Sequence, residues 1–95
     1  MKGTRSTIGL TSRANSFIEE DCGIIVCVKN SGMIPFVKTN LPQITLNFDT
    51  NNFLWGRCLN PWSDKKSAGG SSGGEGSIVA SKISPIGIGN DMFGS

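Results

Sequence analysis

Glycine is concentrated toward the C-terminal end of this chain, and that concentration limits the possible folds more than any other feature. Eight of the 13 glycines lie between residues 69 and 95. The run at residues 69–74, GGSSGG, is on its own typical of a flexible linker.

The residues after this run argue against a linker. Residues 75–83 follow at once with the length and the small or apolar residues of a helix, which ends before Ser84-Pro85. Residues 86–89, IGIG, alternate with a period of two and predict a strand whose glycines permit close backbone approach. We therefore interpret the run as a loop entering a helix N-terminus, where free backbone N–H groups can bind an anion or an oxyanion.

The middle of the chain predicts a helix followed by a strand. Residues 22–31 have helical apolar spacing, with Asp21 as the N-cap and Gly32 as the glycine after the C-terminus. The apolar residues 33–37 then predict a buried strand, and Pro35 restricts it to a sheet edge or a strand start. A helix, a glycine and a strand in this order indicate an α/β fold.

The remaining segments are more polar. Residues 1–20 predict an irregular, exposed segment with a short ordered stretch at residues 6–10. Asn40, with Pro42 close behind it, predicts the start of a second helix. Residues 47–68 predict a long loop with a turn at Asn60-Pro61.

Composition excludes several classes of function. The 95 residues allow one small domain, and 9 Lys and Arg against 7 Asp and Glu give a net charge of +2. That charge is too small to indicate a nucleic acid or an anionic membrane surface as a partner. Residues 24–28 form the longest apolar run, which is far too short to span a bilayer, and the polar residues after Met1 do not resemble a signal peptide.

The side chains available for chemistry are also restricted. Cys22, Cys27 and Cys58 are odd in number and form no C-x-x-C pair, so they predict reduced thiols in an intracellular protein and neither a disulfide framework nor a zinc site. The chain contains no histidine. A Ser-His-Asp triad, a Cys-His dyad and the usual histidine-based metal sites cannot be built from these residues alone.

Three chemistries compete for the glycine loop. A phosphate-binding P-loop would need Gly-Lys-Ser/Thr after its glycines, whereas this loop continues with Glu75, whose carboxylate would repel phosphate. A nucleophile elbow, G-x-S-x-G, matches around Ser72, but the elbow serine requires a histidine. The third possibility is a serine hydrolase whose general base is not histidine.

The third possibility agrees with a family resemblance. Residues 60–62 (NPW), 69–76 (GGSSGGEG) and 84–95 (SPIGIGNDMFGS) together resemble the amidase-signature family, and most of all its fatty acid amide hydrolase branch. Residues 36–43 (FVKTNLPQ) are similar to the K-T-N-x-P segment of the family, and residues 6–9 (STIG) to a Ser/Thr-rich segment upstream. The likeness covers nearly the whole chain in one order.

The resemblance implies a Ser–Ser–Lys triad that hydrolyses a carbon–nitrogen bond in an amide through an acyl-enzyme. Ser71 matches the relay serine, which follows a cis peptide bond, and Ser95 matches the nucleophile. The backbone amides of Met92, Phe93, Gly94 and Ser95 match the oxyanion hole. No cofactor and no metal are implied. The branch implies fatty acid amides as substrates, with a small-molecule or lipid amide as the partner.

Two features depart from the family pattern. The resemblance places the catalytic lysine on a strand upstream of the Ser/Thr-rich segment, and Lys2 lies too close to that segment to match it. We therefore expect the lysine to precede Met1. Phe93 stands where the family usually has glycine: it would cost on the order of 1–3 kcal/mol if the position requires a positive φ, and nothing in a β-region backbone.

The family fold is an α/β domain with a mixed sheet between helices, several times longer than this chain. We expect residues 1–95 to be a central fragment of such a domain, lacking the lysine strand upstream and the rest of the sheet downstream. On its own the fragment is expected to be inactive and poorly folded. The alternative is a non-catalytic relic or binding module derived from such an amidase. Membrane association and oligomeric state are left open.

Overall fold

The computed structural model describes residues 1–95 and is a mixed α/β arrangement of two helices and two small sheets. The elements are α1 (Gly23–Asn30), β1 (Asn51–Asn52), β2 (Gly56–Arg57), β3 (Leu59–Asn60), β4 (Ser63–Ser67) and α2 (Gly73–Ala80). Strand β1 pairs with β2 and strand β3 with β4, both antiparallel. The α/β class is therefore confirmed. Neither helix is both long and apolar enough to cross a bilayer.

Helix α1 ends as predicted but begins differently. Gly32 has φ = 78° and its N–H donates to the Lys29 carbonyl, while the next N–H donates to the Val28 carbonyl. These are the two hydrogen bonds of a Schellman motif, so the C-terminal glycine is confirmed. The N-cap position is Cys22, without a side-chain cap. Asp21 does not cap the helix because its carboxylate accepts the Lys29 ammonium (2.5 Å) and the Lys2 N–H (2.6 Å).

The two predicted strands are wrong. Residues 33–37 and 86–89 are in neither sheet. No second strand lies beside either segment, and their apolar side chains are exposed: Ile34 is 83% accessible and Ile86 is 62%. A strand requires a hydrogen-bonding partner as well as the right side-chain alternation, and these segments lack the partner.

The chain between residues 40 and 68 also differs from its prediction. The second helix is reduced to a 3-10 turn, Gln43–Thr45, because Ile44 and Thr45 both have positive φ, which an α-helix cannot continue through. The predicted long loop contains all four strands instead. Its turn after Asn60 is confirmed, since residues 61–62 connect β3 to β4.

The interior of the molecule is polar. None of the eight buried residues has a large apolar side chain, and the buried polar side chains are Thr50, Asn52, Ser71 and Ser84. Hydrogen bonds and close backbone approach therefore hold these elements together more than apolar burial does.

Glycine makes that close approach possible at the loop before α2. A Cβ on Gly70 would lie closer than 3.0 Å to the backbone at residues 47–49, one on Gly73 would meet Thr50, and one on Gly74 would meet the Asn40 backbone. The GGSSGG run is packed against its neighbours and is not a linker. The helix predicted for residues 75–83 is confirmed as α2, which begins two residues earlier, within the glycines.

Candidate active site

Ser71 lies in the packed loop immediately before α2 and is only 3% accessible. The peptide bond between Gly70 and Ser71 is cis. The Thr50 hydroxyl sits under the loop: it accepts the Gly73 N–H (2.9 Å) and donates to the Gly69 carbonyl (2.9 Å), with the Ser71 carbonyl at 3.3 Å. One fully buried hydroxyl thus bridges both sides of the turn that presents Ser71.

A second polar contact supports the start of this loop. The Ser67 hydroxyl donates to Asp49 Oδ1 (2.5 Å) and accepts the Gly69 N–H (2.9 Å). The Ser67 hydroxyl, and to a lesser extent Arg57, lower the pKa of Asp49 below its usual range. Asp49 therefore stays ionised, and keeps accepting the Ser67 hydroxyl, to lower pH than an ordinary aspartate does.

Thr50→Val is expected to lower the free energy of unfolding by about 2 kcal/mol, because it leaves the buried Gly73 N–H without an acceptor while preserving shape. Thr50→Ser keeps the hydroxyl, loses one methyl group, and is expected to cost about 1 kcal/mol. Chemical denaturation of both variants in the complete protein that contains these residues measures the difference. A Val variant as stable as the native protein would show that the hydroxyl does not support the loop.

Two side chains at the start of α2 hold the segment that leads to Ser95: Ser72 at the N-cap and Glu75 in the first turn. The Ser72 hydroxyl accepts the Asn90 N–H (2.9 Å) and lies 3.3 Å from the Asn90 carbonyl, to which it donates. The Glu75 carboxylate accepts the Ile88 N–H (3.1 Å). Residues 86–95, the C-terminal segment, therefore run alongside the helix N-terminus and return to the loop that contains Ser71.

The two predicted serines are brought together by this path. The Ser71 hydroxyl donates to Ser95 Oγ at 2.9 Å, although 24 residues separate them in sequence. Ser72 has its hydroxyl occupied by the Asn90 backbone, so it does not point toward an open position as an elbow nucleophile would. The geometry favours Ser71 and Ser95 over Ser72 as the candidate catalytic serines.

The predicted oxyanion-hole residues form the turn before Ser95. Gly94 has the positive φ, 89°, and Phe93 does not, so the strain considered for Phe93 does not arise. The Met92 and Phe93 N–H groups have no acceptor in the protein. Those of Gly94 and Ser95 both donate to Asp91 Oδ1, at 2.5 and 2.9 Å. Two of the four amides are therefore free and two are occupied by a carboxylate.

No lysine of the chain donates a hydrogen bond to Ser71 or Ser95. Burial lowers the pKa of Lys38, the direction that a lysine general base needs, but its ammonium donates to the Arg5 carbonyl (2.6 Å). Lys38 also lines a cavity of about 440 Å³ between residues 1–9, residues 36–41 and Trp55, which does not include either serine. No cluster of three His, Cys, Asp or Glu side chains could hold a metal ion.

The sequence interpretation missed three residues of this site: Thr50, Glu75 and Asp91. Glu75 is part of the GGSSGGEG motif, where it served to exclude phosphate binding and to support the family resemblance. The spacing of Ser72 and Glu75 is that of a capping box, but Ser72 makes no side-chain cap, and Glu75 instead binds Thr39 and Ile88, which a local signal does not predict. Thr50 lies in a segment predicted as loop, and nothing in the sequence singles it out.

Comparison with known proteins identifies the family of the chain. The Amidase family model matches residues 1–95. The chain belongs to the Amidase family. It is 46% identical to fatty-acid amide hydrolase 1 of Sus scrofa over 94 residues, which are 99% of this chain and 16% of that protein.

Two further relatives of this Amidase family chain have names other than fatty-acid amide hydrolase. The vitamin D3 hydroxylase-associated protein of Gallus gallus is 47% identical over 94 residues, or 99% of this chain and 20% of the relative. Amidase 1 of Gibberella moniliformis is 41% identical over 95 residues, or 100% of this chain and 18% of the relative. The chain thus spans about a fifth or less of the curated relatives it matches.

Proposed function

We propose that residues 1–95 contribute the two serines of an amidase that hydrolyses a carbon–nitrogen bond through an acyl-enzyme. Ser95 is the nucleophile and Ser71 the proton relay. The observation that supports this most directly is the 2.9 Å contact between the two hydroxyls, in a chain of the Amidase family.

The relay follows from the chemistry of hydroxyl groups. A serine hydroxyl has one donor and two acceptor positions and rotates freely, so Ser71 can accept a proton from Ser95 while donating its own. As Ser95 Oγ attacks the amide carbonyl carbon, its proton passes to Ser71, and the Ser71 proton passes to a neutral lysine. The lysine returns the proton to the leaving amine, and water then hydrolyses the acyl ester by the same route in reverse.

The turn before Ser95 supplies donors for the tetrahedral intermediate. The free N–H groups of Met92 and Phe93 are available at once, and each donor is worth roughly 3–4 kcal/mol to an oxyanion. The N–H groups of Gly94 and Ser95 join them when the Asp91 carboxylate moves away, since one negative oxygen replaces another as their acceptor.

We further propose that residues 1–95 are the central section of a larger amidase-signature domain. The lysine would come from a strand upstream of Met1 and the remaining sheet from residues downstream. Two observations support this: the share of each relative that the chain covers, and an interior without a large apolar side chain while 20 large apolar residues are exposed. Residues 1–95 in isolation would then be inactive and weakly folded.

Fatty acid amides are the proposed substrates. The support is the name of the Sus scrofa relative, fatty-acid amide hydrolase 1. Amidase 1 of Gibberella moniliformis is named only as an amidase, so amide hydrolysis is the general part of the proposal and the fatty acyl chain is the specific part.

A fluorophosphonate probe tests the proposal in the complete protein that contains these residues. The probe forms a covalent bond with an activated serine, and peptide mapping by mass spectrometry locates it. We expect the label on Ser95. A label on Ser72 would support the nucleophile elbow, and no label on a folded protein that also fails to hydrolyse an amide would support the non-catalytic alternative.

A further inference from the structure

Glu75 connects three separate segments at the start of α2. Its Oε1 accepts the Thr39 hydroxyl at 2.8 Å and its Oε2 accepts the Ile88 N–H at 3.1 Å. A Cβ on the neighbouring Gly87 would collide with Oε2, so the glycine leaves the space that this carboxylate occupies. The carboxylate does not touch Ser71 or Ser95, and the relay described above does not use it.

Glu75 and Ser72 act on the C-terminal segment as a matched pair. They are three residues apart around the N-terminus of α2, a spacing that places side chains on one face. Ile88 and Asn90 are two residues apart in an extended segment, a spacing that points both N–H groups the same way. The two side chains therefore accept N–H groups in the way that a neighbouring strand would, which explains how residues 86–90 are held without a sheet partner.

This pairing sets the register of the segment. A slip by one residue would turn both N–H groups away from their acceptors, since the period of an extended chain is two. Ser72 alone would fix one point and leave the segment free to pivot about it. With Glu75 as the second point, the direction of the segment toward Ser95 is determined relative to Ser71, which is adjacent to Ser72.

We propose that Glu75 is a positioning residue for Ser95: by binding the Ile88 N–H it aligns the segment that presents the nucleophile to the relay serine. The inference rests on the proposed function. In this role Glu75 acts through its hydrogen bonds, and its negative charge is not required. A glutamine there retains both contacts, because its carbonyl oxygen accepts the Ile88 N–H and its amide donates to the Thr39 hydroxyl, which can also accept.

The test compares Glu75→Ala with Glu75→Gln in the complete protein. We expect Glu75→Ala to lower kcat per titrated active site, and the rate of fluorophosphonate labelling at Ser95, by roughly 10- to 100-fold with little change in KM, as misplacement of a reacting group does. Glu75→Gln should stay within about threefold of the native rate. Glu19→Ala, at an exposed glutamate far along the chain with no hydrogen bond in the structure, is the matched control.

Gly87→Ala provides a second route to the same contact. It should impair labelling in the native background by displacing the carboxylate. It should add little in the Glu75→Ala background, where the clash with Oε2 is gone and only a 3.2 Å contact with the Val79 side chain remains. Amide hydrogen exchange gives a readout independent of catalysis: Ile88 and Asn90 should exchange faster in Glu75→Ala and not in Glu75→Gln.

The outcomes separate the two proposals. Native protein that is not labelled at Ser95 would overturn the proposed function, while unchanged exchange at Ile88 in Glu75→Ala would overturn this inference. The inference also fails if Glu75→Gln is as impaired as Glu75→Ala, or if Glu75→Ala lowers only the fraction of active sites and leaves kcat per site unchanged.

Discussion

Replacing Ser71 with alanine in the complete protein is expected to lower kcat/KM for amide hydrolysis by about 1,000-fold, the middle of the range for losing a positioned acid–base group. The Ser71 hydroxyl is the only hydrogen-bond partner of Ser95 Oγ in the structure. In the proposed mechanism the Ser95 proton then has no path to a base, and Ser95 remains a weak alcohol. Steady-state kinetics on an amide substrate measure the loss, and the rate of fluorophosphonate labelling should fall in parallel.

Ser72→Ala is the matched control for that experiment, because the two serines are adjacent and chemically identical. Ser72 binds the Asn90 backbone and makes no hydrogen bond to Ser95, so its loss should loosen the C-terminal segment and lower kcat/KM roughly tenfold. A reversed order, with Ser72→Ala inactive and Ser71→Ala close to native, would replace the relay with the nucleophile elbow.

The site illustrates which relationships a sequence can reveal. Ser71 and Ser95 are 24 positions apart, and neither helical nor strand periodicity relates them; only the resemblance to a family paired them. Their 2.9 Å contact depends on residues 86–90 returning along α2. Thr50, which supports the loop from beneath, is a threonine in a polar segment whose importance arises entirely from its burial in the fold.

The fold was predictable where a local rule decided the structure. Gly32 after α1 and the glycine-to-helix transition at α2 follow from backbone preferences that do not depend on distant neighbours. The strand predicted at residues 86–89 failed because its N–H partner is a side chain, Glu75, which alternation cannot reveal.

The two small hairpins were missed for a different reason. Their strands are mostly two residues long and too polar to alternate visibly. A usable signal was nevertheless present: Asn52 accepts the Leu54 and Trp55 N–H groups and Asn60 accepts the Trp62 N–H, as asparagine does at turns. In residues 47–68 the positions of the asparagines therefore indicate the turns better than the hydropathy of the segment does.

Gly74→Ala is expected to destabilise the protein by about 4 kcal/mol, combining a steric cost of about 3 with about 1 for a weakened hydrogen bond. The added Cβ would lie closer than 3.0 Å to the backbone nitrogen and oxygen of Asn40 and to Thr39 Cβ. Backbone atoms cannot rotate away as a flexible side chain can. Separating the segments would also stretch the bond from the Gly74 N–H to the Asn40 carbonyl (3.1 Å).

Gly76→Ala, two residues along the same helix, is the control and should have the opposite sign. Its Cβ would meet only the Ala68 carbonyl, at 3.6 Å, an ordinary contact. Alanine in place of glycine inside a helix stabilises by about 1 kcal/mol. Chemical denaturation of both variants, made in the complete protein, should therefore place them about 5 kcal/mol apart, the sum of these two effects. If Gly74→Ala were instead as stable as Gly76→Ala, residues 69–74 would not be packed against residues 39–40, and the loop that holds Ser71 would be a flexible linker after all. Because Gly74 follows Ser71 by only three residues, a shift at this contact should also slow labelling of Ser95, whereas Gly76→Ala should leave the labelling rate unchanged.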